Sequence, residues 1–115
     1  MPILRNDNDR TQTVAAQIYA MRRQRDALFP AGLFSEPAWD MLLEAYQARL
    51  QARTLTLKDL ACVSHTPSAT AHRVLGRLVE LGILHRKGNE RDQRSRIVWL
   101  SDEYSDVISV ILSRM

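Results

Sequence analysis

Eight basic side chains, Lys58, Arg73, Arg77, Arg86, Lys87, Arg91, Arg94 and Arg96, fall between Lys58 and Leu100 against four acidic ones, Asp59, Glu80, Glu90 and Asp92. That segment carries a net charge of +4, and it also holds all three histidines, His65, His72 and His85. The rest of the 115-residue chain has 8 basic and 9 acidic residues, so the formal excess of +3 belongs to this one stretch. Clustered cations suit a surface that meets phosphates, whereas a small excess spread evenly would identify no partner. A second basic run, Arg22, Arg23 and Arg25, sits at helical spacing and is read as a solvated helix face.

Other chemistries lack their residues. There is no glycine-rich phosphate loop, nucleophile elbow or paired-carboxylate arrangement; Ser64 beside His65 has no orienting acid, and His72 has no placed nucleophile. The chain is therefore read as a non-enzyme. A zinc site from Cys62, His65 and His72 is set aside because it has one thiol and His72 belongs to an outward helix face, so no metal or cofactor is expected. Cys62, between Ala61 and Val63, is read as a buried packing residue rather than a thiol sensor. A lone cysteine makes no internal disulfide, nothing near Met1 resembles a signal peptide, and charged or amide residues interrupt every apolar run. A membrane helix needs about 20 apolar residues. The expectation is a soluble, cytoplasmic protein.

With 45% hydrophobic residues, 25% charged, and only 4 Gly and 4 Pro, the chain has the makings of one globular core. Val14, Ile18, Met21 and Leu28 recur at helical intervals, predicting a first helix from about Asp9 to Leu28, with Asp9 or Thr11 as N-cap and a frayed polar start. Phe29-Pro30-Ala31-Gly32 ends it. Ser35-Glu36-Pro37 starts a second helix through about Ala52, with Trp39, Leu42, Leu43, Tyr46 and Leu50 on one face. A short third helix, Leu57 to Ser64, is capped by Thr56. A fourth opens at Thr66-Pro67, turns Ala71, Val74, Leu75 and Leu78 inward, and ends at Leu81-Gly82. Two short helices so closely spaced make a helix-turn-helix candidate. Ile83 to Lys87 and Arg96 to Leu100 then flank the polar tip 88–95 as a β-hairpin, and Ser101 caps a last helix whose stripe is Tyr104, Val107, Ile108, Ile111, Leu112 and Met115. The fold class expected is mostly α with a small β-hairpin wing.

Leu60-Ala61 in the supporting helix, the run Pro67-Ser68-Ala69-Thr70-Ala71-His72-Arg73-Val74-Leu75-Gly76-Arg77-Leu78, the exit Leu81-Gly82-Ile83-Leu84 and the wing Asp92-Gln93-Arg94-Ser95-Arg96 together resemble a MarR-type winged helix-turn-helix transcription regulator. The resemblance covers about Ser35 to Ser101. It implies that the second helix of the motif, 66–81, reads the major groove, that Arg94 in the wing 88–95 enters the minor groove, and that Asp92 braces the hairpin or its arginine. It also implies a homodimer through helix 9–28 and helix 102–115, and an unidentified small-molecule effector. On this reading residues 1–34 and 102–115 are dimerisation segments around a DNA-binding lobe, 35–101. One departure is the early C-terminal end, which fits a naturally short protein, a truncated one, or the DNA-binding end of a larger regulator.

The residues support a groove reading by themselves. A major groove about 12 Å wide admits one helix. With Ala71, Leu75 and Leu78 inward, Ser68, Ala69, His72, Arg73 and Gly76 point outward. Arg73 suits bidentate bonding to guanine, Ala69 a thymine methyl, and Ser68, Thr70, Arg77 and the free N–H groups near Pro67 the phosphates, with Thr66 also counted among the DNA-binding residues. Arg91, Arg94 and Arg96 around a hairpin suit the negative potential of a narrow minor groove. The competing expectation is a winged-helix protein–protein interaction module without DNA binding. Trp99, alternating with Val98 and Leu100, is expected to face away from them.

Overall fold

The computed structural model describes the backbone of residues 2–33, 36–88 and 96–115. Its elements are α1 (Pro2–Leu28), α2 (Glu36–Leu50), β1 (Leu55–Thr56), α3 (Leu57–Val63), α4 (Ser68–Glu80), β2 (Leu84–Lys87), β3 (Ile97–Leu100) and α5 (Asp102–Ser113). The fold is mostly helical with a small antiparallel sheet, as the sequence predicts. Two compact units divide the chain: Gly32–Asp106, and Met1–Ala31 with Val107–Met115. No helix among the described residues is long and apolar enough to cross a membrane.

In the Gly32–Asp106 unit, α2 buries Ala38, Trp39, Met41, Leu42, Ala45 and Ala48. The expected stripe is therefore rotated: Leu43 and Tyr46 are half-buried and Leu50 is 69% exposed. Small alanines let the neighbouring elements approach this helix, and the larger Leu50 lies on the open side. The helix also stops short of Ala52. Arg53 N–H donates to the Ala48 carbonyl at 2.8 Å and Ala52 N–H to that of Arg49 at 3.2 Å, a Schellman turn closed by Ala52 at φ 52°. The Ser35 cap lies outside the described residues.

Beyond the predicted hairpin, Leu55–Thr56 joins as a third strand, giving the order β1-β3-β2 with Leu55 opposite Val98 and Thr56 opposite Ile97. Leu60, Leu75, Leu78, Ile83, Leu84 and Leu100 are almost wholly buried, so α3, α4 and the sheet contribute to one core. Each such side chain contributes about 1.5–3 kcal/mol relative to exposure. Arg49 of α2 donates through Nη1 to the Leu100 carbonyl at 3.0 Å and through Nη2 to Asp102 at 2.6 Å, fixing the point where β3 turns into α5.

The other unit holds α1, which begins at Pro2 rather than near Asp9. Proline is tolerated in a first turn, and the polar segment that follows contains no breaker. Thr11 and Thr13 lie within the helix and donate back to the Asn8 and Asp9 carbonyls at 3.0 and 2.9 Å, so neither Asp9 nor Thr11 is the cap. Arg22 and Arg23 are exposed as expected, whereas Arg25 is half-buried and bonded to Asp26. Within the Gly32–Asp106 unit, the amide of Tyr104 donates to Ser101 Oγ at 3.2 Å, making Ser101 the cap of α5. Ile108 and Ile111 are buried, while Met115 at the end of the predicted stripe is half exposed.

Candidate nucleic-acid interface

The helix-turn-helix begins with a capping box. Thr56 Oγ1 accepts from Asp59 N–H and Asp59 Oδ2 accepts from Thr56 N–H, both at 3.1 Å. Helix α3 ends at Val63, and the turn Ser64–Pro67 is shaped by His65 in the left-handed region at φ 52°. Thr66 does not cap the next helix. Its hydroxyl bonds Ser64 Oγ at 2.8 Å, and Pro67 occupies the N-cap position, its carbonyl accepting from Ala71 N–H at 3.0 Å. The observed helix is consequently Ser68–Glu80 rather than 66–81.

Along α4, Ala71, Leu75 and Leu78 are buried. Ser68, Ala69, His72, Arg73, Gly76 and Arg77 are exposed, Thr70 is half-buried, and Arg77 lies 3.8 Å from Glu80. The helix thus presents a continuous polar face opposite its core face. Its exit is a second Schellman turn: Ile83 N–H donates to the Leu78 carbonyl and Gly82 N–H to that of Val79, each at 3.0 Å. Gly82 at φ 73° supplies the left-handed residue, and the side chains of Leu78 and Ile83 are both fully buried.

That turn launches the wing. Strands β2 and β3 pair Leu84 with Leu100, His85 with Trp99, Arg86 with Val98 and Lys87 with Ile97. Alternation places Leu84, Arg86, Val98 and Leu100 on one face and His85, Trp99, Lys87 and Ile97 on the other. Trp99 does face away from Val98 and Leu100; it is 41% exposed, and its ring lies 5.8 Å from that of His85. The wing tip 89–95, with Arg91, Asp92 and Arg94, lies outside the described residues. Arg96, at the stem, is half-buried, and its carbonyl accepts from Leu57 N–H at 3.0 Å.

Between α4 and the wing stem lies a cleft of about 310 Å³ lined by Leu57, His72, Leu75, Gly76, Val79, Arg86 and Arg96. The structure so brings His72 and Arg96 together with Arg86, a residue the sequence reading counted as charge but did not place in the site. Its signal was strand alternation, since Arg86 shares a face with buried Leu84. Cys62 is exposed, correcting the expectation of a buried thiol. Among the described residues no group of three or more His, Cys, Asp or Glu could hold a metal ion.

A helix-turn-helix followed by a stranded wing defines the winged-helix fold. The sequence matches the model of the IclR helix-turn-helix domain over residues 49–88, from the end of α2 through β2 and its first wing residue. No curated protein matches. Among solved structures the chain is similar to Staphylococcus aureus MepR in complex with DNA, with 17% identity and a TM-score of 0.67 over 90% of this chain and 80% of that one. It is similar to NadR in complex with 4-hydroxyphenylacetate, with 19% identity and a TM-score of 0.62 over 90% and 68%. It is similar as well to the heme sensor protein PefR from Streptococcus agalactiae, with 14% identity and a TM-score of 0.59 over 94% and 73%. Likeness at these identities establishes the fold.

Proposed function

We propose that the chain is a MarR-type transcription regulator that binds duplex DNA sequence-specifically as a homodimer. The observation that carries this reading is the polar face of α4: Ser68, Ala69, His72, Arg73 and Arg77 exposed on a helix whose other side is locked into the core by Ala71, Leu75 and Leu78. A helix held so firmly and left bare on one side is shaped to enter a major groove. Ser68, Thr70 and Arg77 meet phosphates, Ala69 and Arg73 meet base edges, and Arg91, Arg94 and Arg96 serve the minor groove, with Asp92 bracing them. Thr66, engaged with Ser64, holds the turn and lends its backbone rather than its hydroxyl to DNA.

The dimer is formed through α1 and α5. Apolar residues left open on these helices, Val14, Tyr19, Leu28 and Val110, with Met115 just past α5, support that assignment. A two-fold dimer sets its recognition helices about one DNA turn apart and selects a pseudo-palindromic operator. MepR is described as the transcription regulator of a multidrug efflux pump, and NadR and PefR are described with small molecules bound; a small-molecule effector is accordingly part of the proposal. The protein works in the cytoplasm and has no catalytic step.

Selecting bound duplexes from a random pool, followed by salt titration of the winner, tests this reading. A palindromic consensus with steeply salt-dependent affinity is expected. A flat dependence with no enriched sequence would instead favour the protein–protein interaction module.

A further inference from the structure

Strand order leaves β2 at an edge of the sheet. The order β1-β3-β2 pairs Leu84–Lys87 with β3 on one side, and among the described residues no strand meets the other. An open edge presents backbone N–H and C=O groups to any extended chain, and charged side chains commonly guard such edges. The guard on β2 has one sign: His85, Arg86 and Lys87 follow one another along it, and all three are exposed. A second copy of β2 laid on this edge would set basic residues against basic residues, which is destabilising, whereas a strand bearing carboxylates would be matched.

The outer face of the same sheet carries an apolar anchor. Alternation puts Thr56, Ile97, Trp99, His85 and Lys87 on the side away from Leu55, Leu84, Val98 and Leu100, which are buried. None of those five outer residues is acidic. Among the described large apolar side chains of the Gly32–Asp106 unit, Leu50 and Trp99 are the ones left exposed; Leu50 ends a helix, whereas Trp99 lies on the central strand, one strand in from the free edge. The Trp99 ring is held by its neighbour: the His85 ring lies 5.8 Å away between centroids at a tilt of 46°, a favourable spacing for an aromatic pair. Tryptophan is among the side chains most enriched at the energetic centres of protein interfaces.

We propose that an extended acidic segment of another protein docks here, adding a strand at the free edge of β2 and resting an apolar side chain on Trp99. Backbone hydrogen bonds to β2 set the direction of the segment, its carboxylates meet the basic side chains of that strand, and Trp99 supplies the apolar contact. The site goes beyond the DNA-binding reading and does not depend on it. Its anchor lies on the sheet face opposite the one from which Arg86 reaches the cleft with α4, leaving the outward face of that helix open.

A display library of short random peptides, panned on the whole chain, tests the proposal, with the winning peptides titrated on wild type, Trp99→Thr, Trp99→Phe and Lys87→Glu. The winners should be rich in Glu and Asp around an apolar residue. Their binding should move the emission of exposed Trp99 to shorter wavelength and slow amide exchange across Leu84–Lys87. Trp99→Thr should weaken binding by at least about tenfold, and Trp99→Phe should retain most of the affinity. Lys87→Glu, at an exposed position, should cost on the order of tenfold and reduce the salt dependence. Panning that enriches no acidic sequence overturns the proposal, as do winners that bind Trp99→Thr and Lys87→Glu like wild type or leave exchange in β2 unchanged. Self-association of the free protein that Trp99→Thr abolishes would assign the face to a second copy, and binding of single-stranded oligothymidine that Trp99→Thr abolishes would assign it to base stacking; either result overturns the proposal. The two readings fail separately, since duplex titration decides DNA binding and the peptides decide this site.

Discussion

The backbone amide of Leu57 donates to the carbonyl oxygen of Arg96 at 3.0 Å, joining the first residue of α3 to the residue that leads into β3. The bond continues the β1–β3 ladder, in which Thr56 lies opposite Ile97, so the supporting helix of the motif grows directly from the sheet that carries the wing. Helix and wing are then not independent appendages. Their spacing is set by one hydrogen-bonded ladder, which suits the proposed entry of the two elements into adjacent grooves.

The capping box at the start of α3 stabilises this junction. Thr56→Ala removes the acceptor for Asp59 N–H and should lower stability by about 1 kcal/mol, read as a drop in the urea midpoint with no change in slope. Thr56→Ser should recover most of the loss.

Arg49 makes two bonds of unequal value. Its partner Asp102 is 93% exposed at the side chain, so that ion pair is largely screened, whereas the Leu100 carbonyl it also bonds belongs to a buried strand end. Asp102→Asn should therefore cost under about 0.5 kcal/mol and Arg49→Ala about 1–2 kcal/mol, measured by denaturant unfolding of the two variants.

The thiol of Cys62 is open to solvent. A thiol reagent such as a chromogenic disulfide should consume one equivalent of thiol in the folded protein, without denaturant. Labelling that appears only on unfolding would contradict the exposed position.

The wing arginine assigned to the minor groove separates from the recognition helix by its effect. Arg94→Ala should weaken binding to most duplexes by similar factors and leave the ranking of sequences unchanged, as competition binding at fixed salt would report.

Much of this arrangement was legible in the sequence because strong local signals coincided. Pro30 after a helical run, Thr56 as cap ahead of Leu57, Gly82 after the fourth helix and alternation around Trp99 each have one physical meaning, and each element formed where they place it. The misses lie where the signal is weak. Two residues, Leu55 and Thr56, are too short for periodicity, so the third strand was visible only through its partner β3. The face of α2 was read from its largest apolar residues, but close packing favoured Ala38, Ala45 and Ala48 and left Leu50 out. In α3, seven residues make two turns, too few to tell the face of Cys62 from those of Ala61 and Val63. On the site side, the outward residues of α4 followed from its core face, whereas Arg86 needed the strand register to show that it shares a cleft with His72.

The central claim is that the outward face of α4 reads duplex DNA, and Arg73 is its sharpest point. The direct measurement is the affinity of wild type and Arg73→Ala, at low salt, for the selected operator and each of its single-base variants. The account predicts that Arg73→Ala binds more weakly and loses about 1–3 kcal/mol of discrimination at one base pair in each half-site, keeping it elsewhere. An Arg73→Ala protein that binds the operator and every variant as wild type does would contradict it.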